Sequence, residues 1–172
     1  MESKFKFMCE KNKYTISATN TISLPVLLKD LPSEVVINGN KLILKSSFHV
    51  SLVCINEIIK KYCISVPNFR NLVVKDFCDF VKTNDIYLLN YLEEFRFVTE
   101  NDLKTVIVIC KVSNLDKFFD FINKKYKLKI EYPPTHVTLY TLEGKLGIFL
   151  IDANDIKNLT KSIPNPIEHS LL

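Results

Sequence analysis

Two short stretches of the sequence share one order of residue types: a histidine, an apolar residue, a hydroxyl residue and a leucine. The first motif is residues 49–52, His-Val-Ser-Leu, and the second is residues 136–139, His-Val-Thr-Leu. The chain has only three histidines, so two of the three stand in this pattern. Two strand histidines with unrelated structural roles are the alternative, but the repeat of the whole pattern favours a shared function.

Both motifs lie in stretches that predict β-strands, in which residues i and i+2 point to the same face of the sheet. His49 and Ser51 would therefore share one face, and His136 and Thr138 would do the same in the second strand. The apolar residues between and after them would point into the core. Two such strands could place two imidazoles and two hydroxyls around one substrate group.

These residue types suit acid–base cleavage of a phosphodiester. Free imidazole titrates near pH 6.5, so one histidine can accept a proton from the attacking oxygen while the other protonates the leaving oxygen. Ser51 and Thr138 can donate hydrogen bonds to the non-bridging phosphoryl oxygens as charge develops there. This chemistry requires no metal ion and no cofactor. His136 is the expected base, although the two roles can exchange with substrate.

Tyr140 follows Thr138 by two positions, so strand alternation predicts that it shares the face of His136. We expect it to stack on a nucleobase or to bind phosphate, and the alternative is an aromatic residue that packs within the fold.

Length and composition indicate one domain, or two small lobes that share a core. The chain has 172 residues, 47% of them hydrophobic, and a formal net charge of +4. Glycine occurs only three times, and neither a G-x-x-x-x-G-K-[ST] nor a G-x-G-x-x-G phosphate loop is present. The start of the sequence lacks the apolar core of a secretory signal, and no apolar run reaches the length of a membrane span.

The five cysteines form no C-x-x-C pair and have no histidines at ligand spacing, so a zinc site is not expected. Their odd number and their scatter through apolar segments predict reduced, buried thiols in a cytosolic compartment.

The remaining pattern predicts strands that alternate with helices. The third histidine, His169, is expected to be exposed in the tail and has no assigned role. The predicted strands are 14–24, 34–37 and 41–44 around an Asn-Gly turn, 48–54, 85–91, 94–99, 104–112, one containing the second motif, and 146–151; the predicted helices follow Asn56, Asn68, Asn114 and Asn154, the last extending to Ile163.

The pair of motifs resembles the 2H phosphoesterase superfamily, the LigT-like or 2′-5′ RNA ligase-like proteins. Their mark is two His-x-Thr/Ser motifs with an apolar x, some 80–90 residues apart; here the histidines are 87 positions apart, from 49 to 136. The Val-Ile-Val-Ile strand, the following helix and the Pro-Thr-His-Val-Thr-Leu stretch are also similar. No arginine stands beside either motif, although many relatives carry basic residues there.

The resemblance implies an α+β, pseudo-duplicated fold of two lobes, in which antiparallel sheets line a central cleft, helices lie outside and each lobe supplies one motif. It implies His49 and His136 as catalytic residues, Ser51 and Thr138 as phosphate-binding residues, and a monomer in the cytoplasm without metal or membrane association.

The implied substrates carry a phosphate on a ribose 2′-oxygen. They are RNA ends with a 2′,3′-cyclic phosphate, 2′-5′ oligoadenylates, and cyclic dinucleotides with a 2′-5′ link such as cGAMP. Viral relatives act on the last two and so destroy antiviral second messengers. The main alternative is a non-catalytic module that binds nucleotide or RNA. A nucleic-acid ligase ranks lower because no nucleotide-activation motif is present, and a plain interaction protein ranks last.

Overall fold

The computed structural model describes residues 5–9, 13–144, 146–168 and 171. These residues form an α+β fold with one large antiparallel sheet of ten strands and four helices. The strands are β1 (Phe5–Met8), β2 (Tyr14–Ser17), β3 (Thr21–Val26), β4 (Glu34–Ile37), β5 (Asn40–Leu44), β6 (Phe48–Cys54), β7 (Leu88–Glu100), β8 (Leu103–Val112), β9 (His136–Leu142) and β10 (Thr160–Ile163), and the helices are α1 (Ile55–Lys61), α2 (Phe69–Phe80), α3 (Leu115–Tyr126) and α4 (Ala153–Leu159).

The two motif strands, β6 and β9, are neighbours at the centre of the sheet. The strand order is β1-β2-β3-β6-β9-β8-β7-β10, so three strands lie on each side of the central pair. The far end of β9 pairs instead with β5, whose other neighbour is β4. Because β6 and β9 are both interior strands, each has a strand neighbour on either side, which restrains the backbone that carries the motif residues.

One face of this sheet carries the main hydrophobic core. Val50 and Leu52 of β6 and Val137 of β9 are buried there, as the alternation predicts. The helices α2 and α3 contribute aromatic residues to the same core, where the rings of Phe77 and Phe118 meet edge to face with their centroids 5.2 Å apart. The motif histidines and hydroxyls therefore point to the opposite face.

The structure confirms several predicted elements. The first motif strand, the β4–β5 hairpin, β8, α2 and α3 lie where the sequence pattern indicates. The single strand predicted at residues 14–24 was wrong, because a turn at residues 18–20 divides this stretch between β2 and β3.

Three predictions in the second half of the chain were wrong. The two strands expected at 85–91 and 94–99 are a single strand, β7, because an irregularity between Tyr91 and Phe95 bends the strand without ending it. Residues 146–151 form no strand. The last helix is capped by Asp152 and ends at Leu159, and residues 160–163 pair with β7 as β10.

The prediction of reduced, buried thiols holds for two cysteines, is half right for a third and fails for two. Cys54 and Cys110 are free and buried, and Cys63 is free and exposed. Cys9 and Cys78 form a disulfide with a Cα–Cα distance of 5.2 Å. The two cysteines are 69 positions apart, so the sequence alone did not indicate that they pair. They meet because the segment after β1 packs against α2.

The helices are short; α2 and α3, with 12 residues each, are the longest described. No helix in the described part of the chain combines the length and apolarity needed to cross a membrane. His169 lies outside the described residues.

Candidate functional site

The two motifs meet at one cross-strand pair, Val50 of β6 and Val137 of β9. The strands are antiparallel, so continuing this register places His49 opposite Thr138 and Ser51 opposite His136. Each histidine thus faces the hydroxyl residue of the other motif. All four side chains share the face opposite the main hydrophobic core, because the two valines point into that core.

The structure brings the four motif residues together in one pocket of about 240 Å³. A polar floor is formed by the sheet, and an apolar roof is formed by residues 146–150, which fold back over it. Ile148 and Leu150 hold this roof in place, because both are buried in a small cluster with Val98 and Ile107 of the sheet. Phe149 remains partly exposed and also lines the pocket.

The segment before β9 fixes the ring of His136. Thr135 is tied to β8 by its hydroxyl, which donates to the carbonyl oxygen of Cys110 at 2.7 Å. The imidazole Nδ1 of His136 lies 2.8 Å from the carbonyl oxygen of Pro134. A carbonyl can only accept, so Nδ1 carries the proton in this bond and Nε2 is the nitrogen left for chemistry.

Burial lowers the pKa of both histidines. The pKa of His49 falls to about 4, chiefly through burial and further through the positive charge of Lys45 and the proximity of His136. Burial also lowers the pKa of His136, while its hydrogen bond to Pro134 acts in the opposite direction. Both shifts favour the neutral imidazole at pH 7.

Lys45 is a pocket residue that neither sequence motif includes. It precedes β6, and its backbone N–H donates to the carbonyl oxygen of Leu139 at 2.9 Å, which brings it against the motif strands. Burial lowers the pKa of its ammonium group. Apart from the histidines, Lys45 is the one ionisable amine among the described lining residues, and no carboxylate is among them. A basic residue four positions before His49 was the available signal.

Strand β3 supplies further polar residues that the motifs did not indicate. Ser23 pairs with Ser51 across β3 and β6, so it shares the pocket face. Its hydroxyl is fully buried and makes no hydrogen bond. Thr21 lies near the thiol of Cys54, whose pKa burial raises to about 12, so this thiol stays uncharged and is a poor nucleophile.

Tyr140 does not reach the pocket, contrary to the strand-alternation prediction. A bulge between β8 and β9 pairs Thr138 with Ile107 but Tyr140 with Val106, which inserts one extra residue into β9. The tyrosine therefore turns to the face of the main hydrophobic core, where it is fully buried. Its hydroxyl donates to the carbonyl oxygen of Pro32 at 3.1 Å.

Gly147 brings the roof close to the second motif. A Cβ atom at this position would lie 3.3 Å from the hydroxyl oxygen of Thr138. A side chain here would crowd the Thr138 hydroxyl, so the small residue keeps this end of the pocket open.

Within the described residues, no three His, Cys, Asp or Glu side chains are grouped as metal ligands would be. No protein-family model, curated protein or solved structure matches this chain significantly. The likeness to the 2H superfamily therefore depends on the two motifs and their surroundings alone.

Proposed function

We propose that this protein is a 2H-type phosphodiesterase that hydrolyses a phosphodiester at a ribose 2′-oxygen without a metal ion. The single observation that supports the proposal most is the Val50–Val137 pair, which sets both histidines and both hydroxyls in one pocket. Lys45 adds one positive charge to this pocket, which suits an anionic phosphodiester.

The proposal includes the two-lobed organisation of the 2H superfamily. One half of the chain would contribute β6 and its neighbours, and the other half would contribute β9 and its neighbours. The central position of these two strands, with three strands on either side, supports this division.

The surroundings of the two histidines support a division of roles opposite to the one expected from the sequence. The charge of Lys45 disfavours a proton on His49, whereas the Pro134 carbonyl favours a proton on His136. In this proposal His49 takes the proton of a water molecule as the water oxygen bonds to phosphorus. His136 gives its Nε2 proton to the leaving oxygen as the old phosphorus–oxygen bond breaks.

Substrate binding would raise the lowered pKa of His136, the proposed acid. A phosphodiester anion bound between the rings favours an imidazolium, so binding raises the pKa of the acid toward neutrality. The hydroxyls of Ser51 and Thr138 would donate to the non-bridging oxygens, which gain charge in the transition state.

A non-catalytic nucleotide-binding module is the second candidate. The lowered pKa of both histidines favours it, because a neutral pair lacks the proton that an acid catalyst needs. This candidate predicts nucleotide binding without turnover.

One pooled reaction analysed by mass spectrometry separates the two candidates. It contains EDTA, 2′,3′-cyclic AMP, a 2′-5′ oligoadenylate, its 3′-5′ isomer and a mixed-linkage cyclic dinucleotide. Loss of a 2′-linked member while the 3′-5′ isomer survives supports the phosphodiesterase and identifies its substrate class. Survival of every member, again after metal is added, supports the binding module.

A further inference from the structure

The hydroxyl of Ser23 is a polar group that the proposed chemistry does not use. It lies in the pocket lining on β3, directly across from Ser51 on β6. It is fully buried, yet it neither donates nor accepts a hydrogen bond. An unpaired buried hydroxyl costs free energy. Of the four such side chains among the described residues, Ser23 alone lines the pocket, where a ligand group can complete its hydrogen bonding.

The pocket is positively charged at one end of β6 and polar but neutral at the other. Lys45 lies near the His49 end, where its charge acts on that histidine. Thr21 and Cys54 lie at the other end, where they are paired in register across β3 and β6. The described residues of the β3 side are neutral and rich in hydroxyls, so a second phosphate is a poor ligand for this side and a sugar is a good one.

The hydrogen-bonding capacity of Ser23 indicates which chemical group of a ligand it would bind. Its hydroxyl has both a free donor and free acceptor sites. A phosphoryl oxygen would use only the donor, whereas a sugar hydroxyl both gives and receives a hydrogen bond. Ser23 and Ser51 are separated by one strand spacing, roughly 4.8 Å. A sugar whose phosphate contacts Ser51 could therefore place the hydroxyl of its adjacent carbon against Ser23.

We propose that Ser23 binds the free 3′-hydroxyl of the ribose whose 2′-oxygen carries the scissile phosphate. This inference rests on the proposed function. Its consequence is a preference for 2′-5′-linked substrates, which keep that hydroxyl, over 2′,3′-cyclic phosphates, in which the 3′-oxygen is part of the ring.

The test measures binding, so it does not depend on turnover. Isothermal titration calorimetry gives the Kd of adenosine 2′-monophosphate, of its 3′-deoxy analogue and of inorganic phosphate. The wild type should bind the 2′-monophosphate about five- to tenfold more tightly than the 3′-deoxy analogue, the value of one hydrogen bond. Ser23→Ala should bind the two nucleotides equally and should bind inorganic phosphate as the wild type does.

Thr105→Val is the matched control. The Thr105 hydroxyl is also fully buried and unpaired, but it does not line the pocket. Both substitutions remove a buried unsatisfied hydroxyl, so neither should lower the thermal midpoint. Thr105→Val should retain the preference for the 3′-hydroxyl.

Three results would overturn the inference: a preference that survives in Ser23→Ala, an equal loss of affinity for inorganic phosphate in that variant, and no measurable binding of the 2′-monophosphate by the wild type. Failure of the proposed function has a different signature, because a wild type that hydrolyses no 2′-linked substrate can still show the Ser23-dependent preference in binding.

Discussion

Val50 and Val137 form the cross-strand pair that relates the two motifs. An antiparallel pair has a local two-fold axis between its members, so the residues on either side are exchanged by that axis. His49 and His136 are therefore equivalent in position, as are Ser51 and Thr138. What distinguishes the histidines lies outside the motifs: a lysine beside one and a carbonyl oxygen beside the other.

Loss of either imidazole should abolish most of the activity. His49→Ala and His136→Ala should each lower kcat at least about a thousandfold, because each removes one partner of the acid–base pair. Initial rates on a 2′-linked substrate, together with circular dichroism as a check of the fold, would measure this. Tyr140→Phe, which changes a residue outside the pocket, is the control and should stay within about threefold of the wild type. A fully active double histidine variant would end the proposal.

The value of kcat/KM should be highest at acidic pH. This ratio reports the free enzyme, in which His49 must be neutral and His136 protonated. The pKa of His136 lies below its usual value, so kcat/KM should fall as pH rises from about 6 to 8. On the acid side it should fall as pH drops toward 4, where His49 takes up a proton. A profile that is flat across this range would contradict the assignment.

Lys45→Met should move the acid side of that profile. The lysine charge lowers the pKa of His49, so its removal should raise that pKa and shift the acid limb to higher pH. KM should also rise, because an anionic substrate loses the positive charge in the pocket. Lys104→Met, which removes a lysine outside the pocket lining, should leave both quantities near those of the wild type.

Gly147→Ala should impair the site without unfolding the protein. The new Cβ would stand 3.3 Å from the Thr138 hydroxyl oxygen, so the roof or the hydroxyl must shift by a few tenths of an ångström. We expect about a tenfold loss in kcat/KM, as for a small displacement of a positioned group. The thermal midpoint should change little. Unchanged kinetics would show that the roof yields freely and does not position Thr138.

The disulfide should stabilise the fold and leave catalysis alone. The disulfide joins residues 69 positions apart, which lowers the conformational entropy of the unfolded chain. In the loop-entropy model this raises the free energy of unfolding by about 4 kcal/mol. Cys78→Ser should therefore lower the thermal midpoint under oxidising conditions, and dithiothreitol should lower that of the wild type but not that of the variant. Cys63→Ser, which removes an exposed free thiol, is the control. Equal midpoints for the wild type and Cys78→Ser would contradict the prediction.

The sequence was most informative where side chains follow a strict period. The alternation along residues 48–54 predicted the bounds of β6, the burial of Val50 and Leu52, and the common face of His49 and Ser51. The alternation along the second motif likewise predicted the common face of His136 and Thr138. These features depend only on residues within one strand, so local patterning determines them.

Features that depend on the register between distant strands were not visible in the sequence. Tyr140 turns to the core because of a bulge against β8, and nothing in its own strand marks that extra residue. Ser23 enters the pocket through pairing of β3 with β6, and Cys9 meets Cys78 through the docking of β1 near α2. Such contacts follow from the packing of the whole chain, which single-strand patterns do not encode.

The most direct test of the account compares two isomers, 2′-5′ and 3′-5′ diadenylate, with the wild type and the His49→Ala/His136→Ala double variant in EDTA. The products are resolved by liquid chromatography and mass spectrometry. The wild type should cleave the 2′-5′ isomer and leave the 3′-5′ isomer intact, and the double variant should cleave neither. Equal cleavage by the wild type and the double variant would contradict the two-histidine mechanism, and cleavage of neither isomer would contradict the preference for 2′-5′-linked substrates.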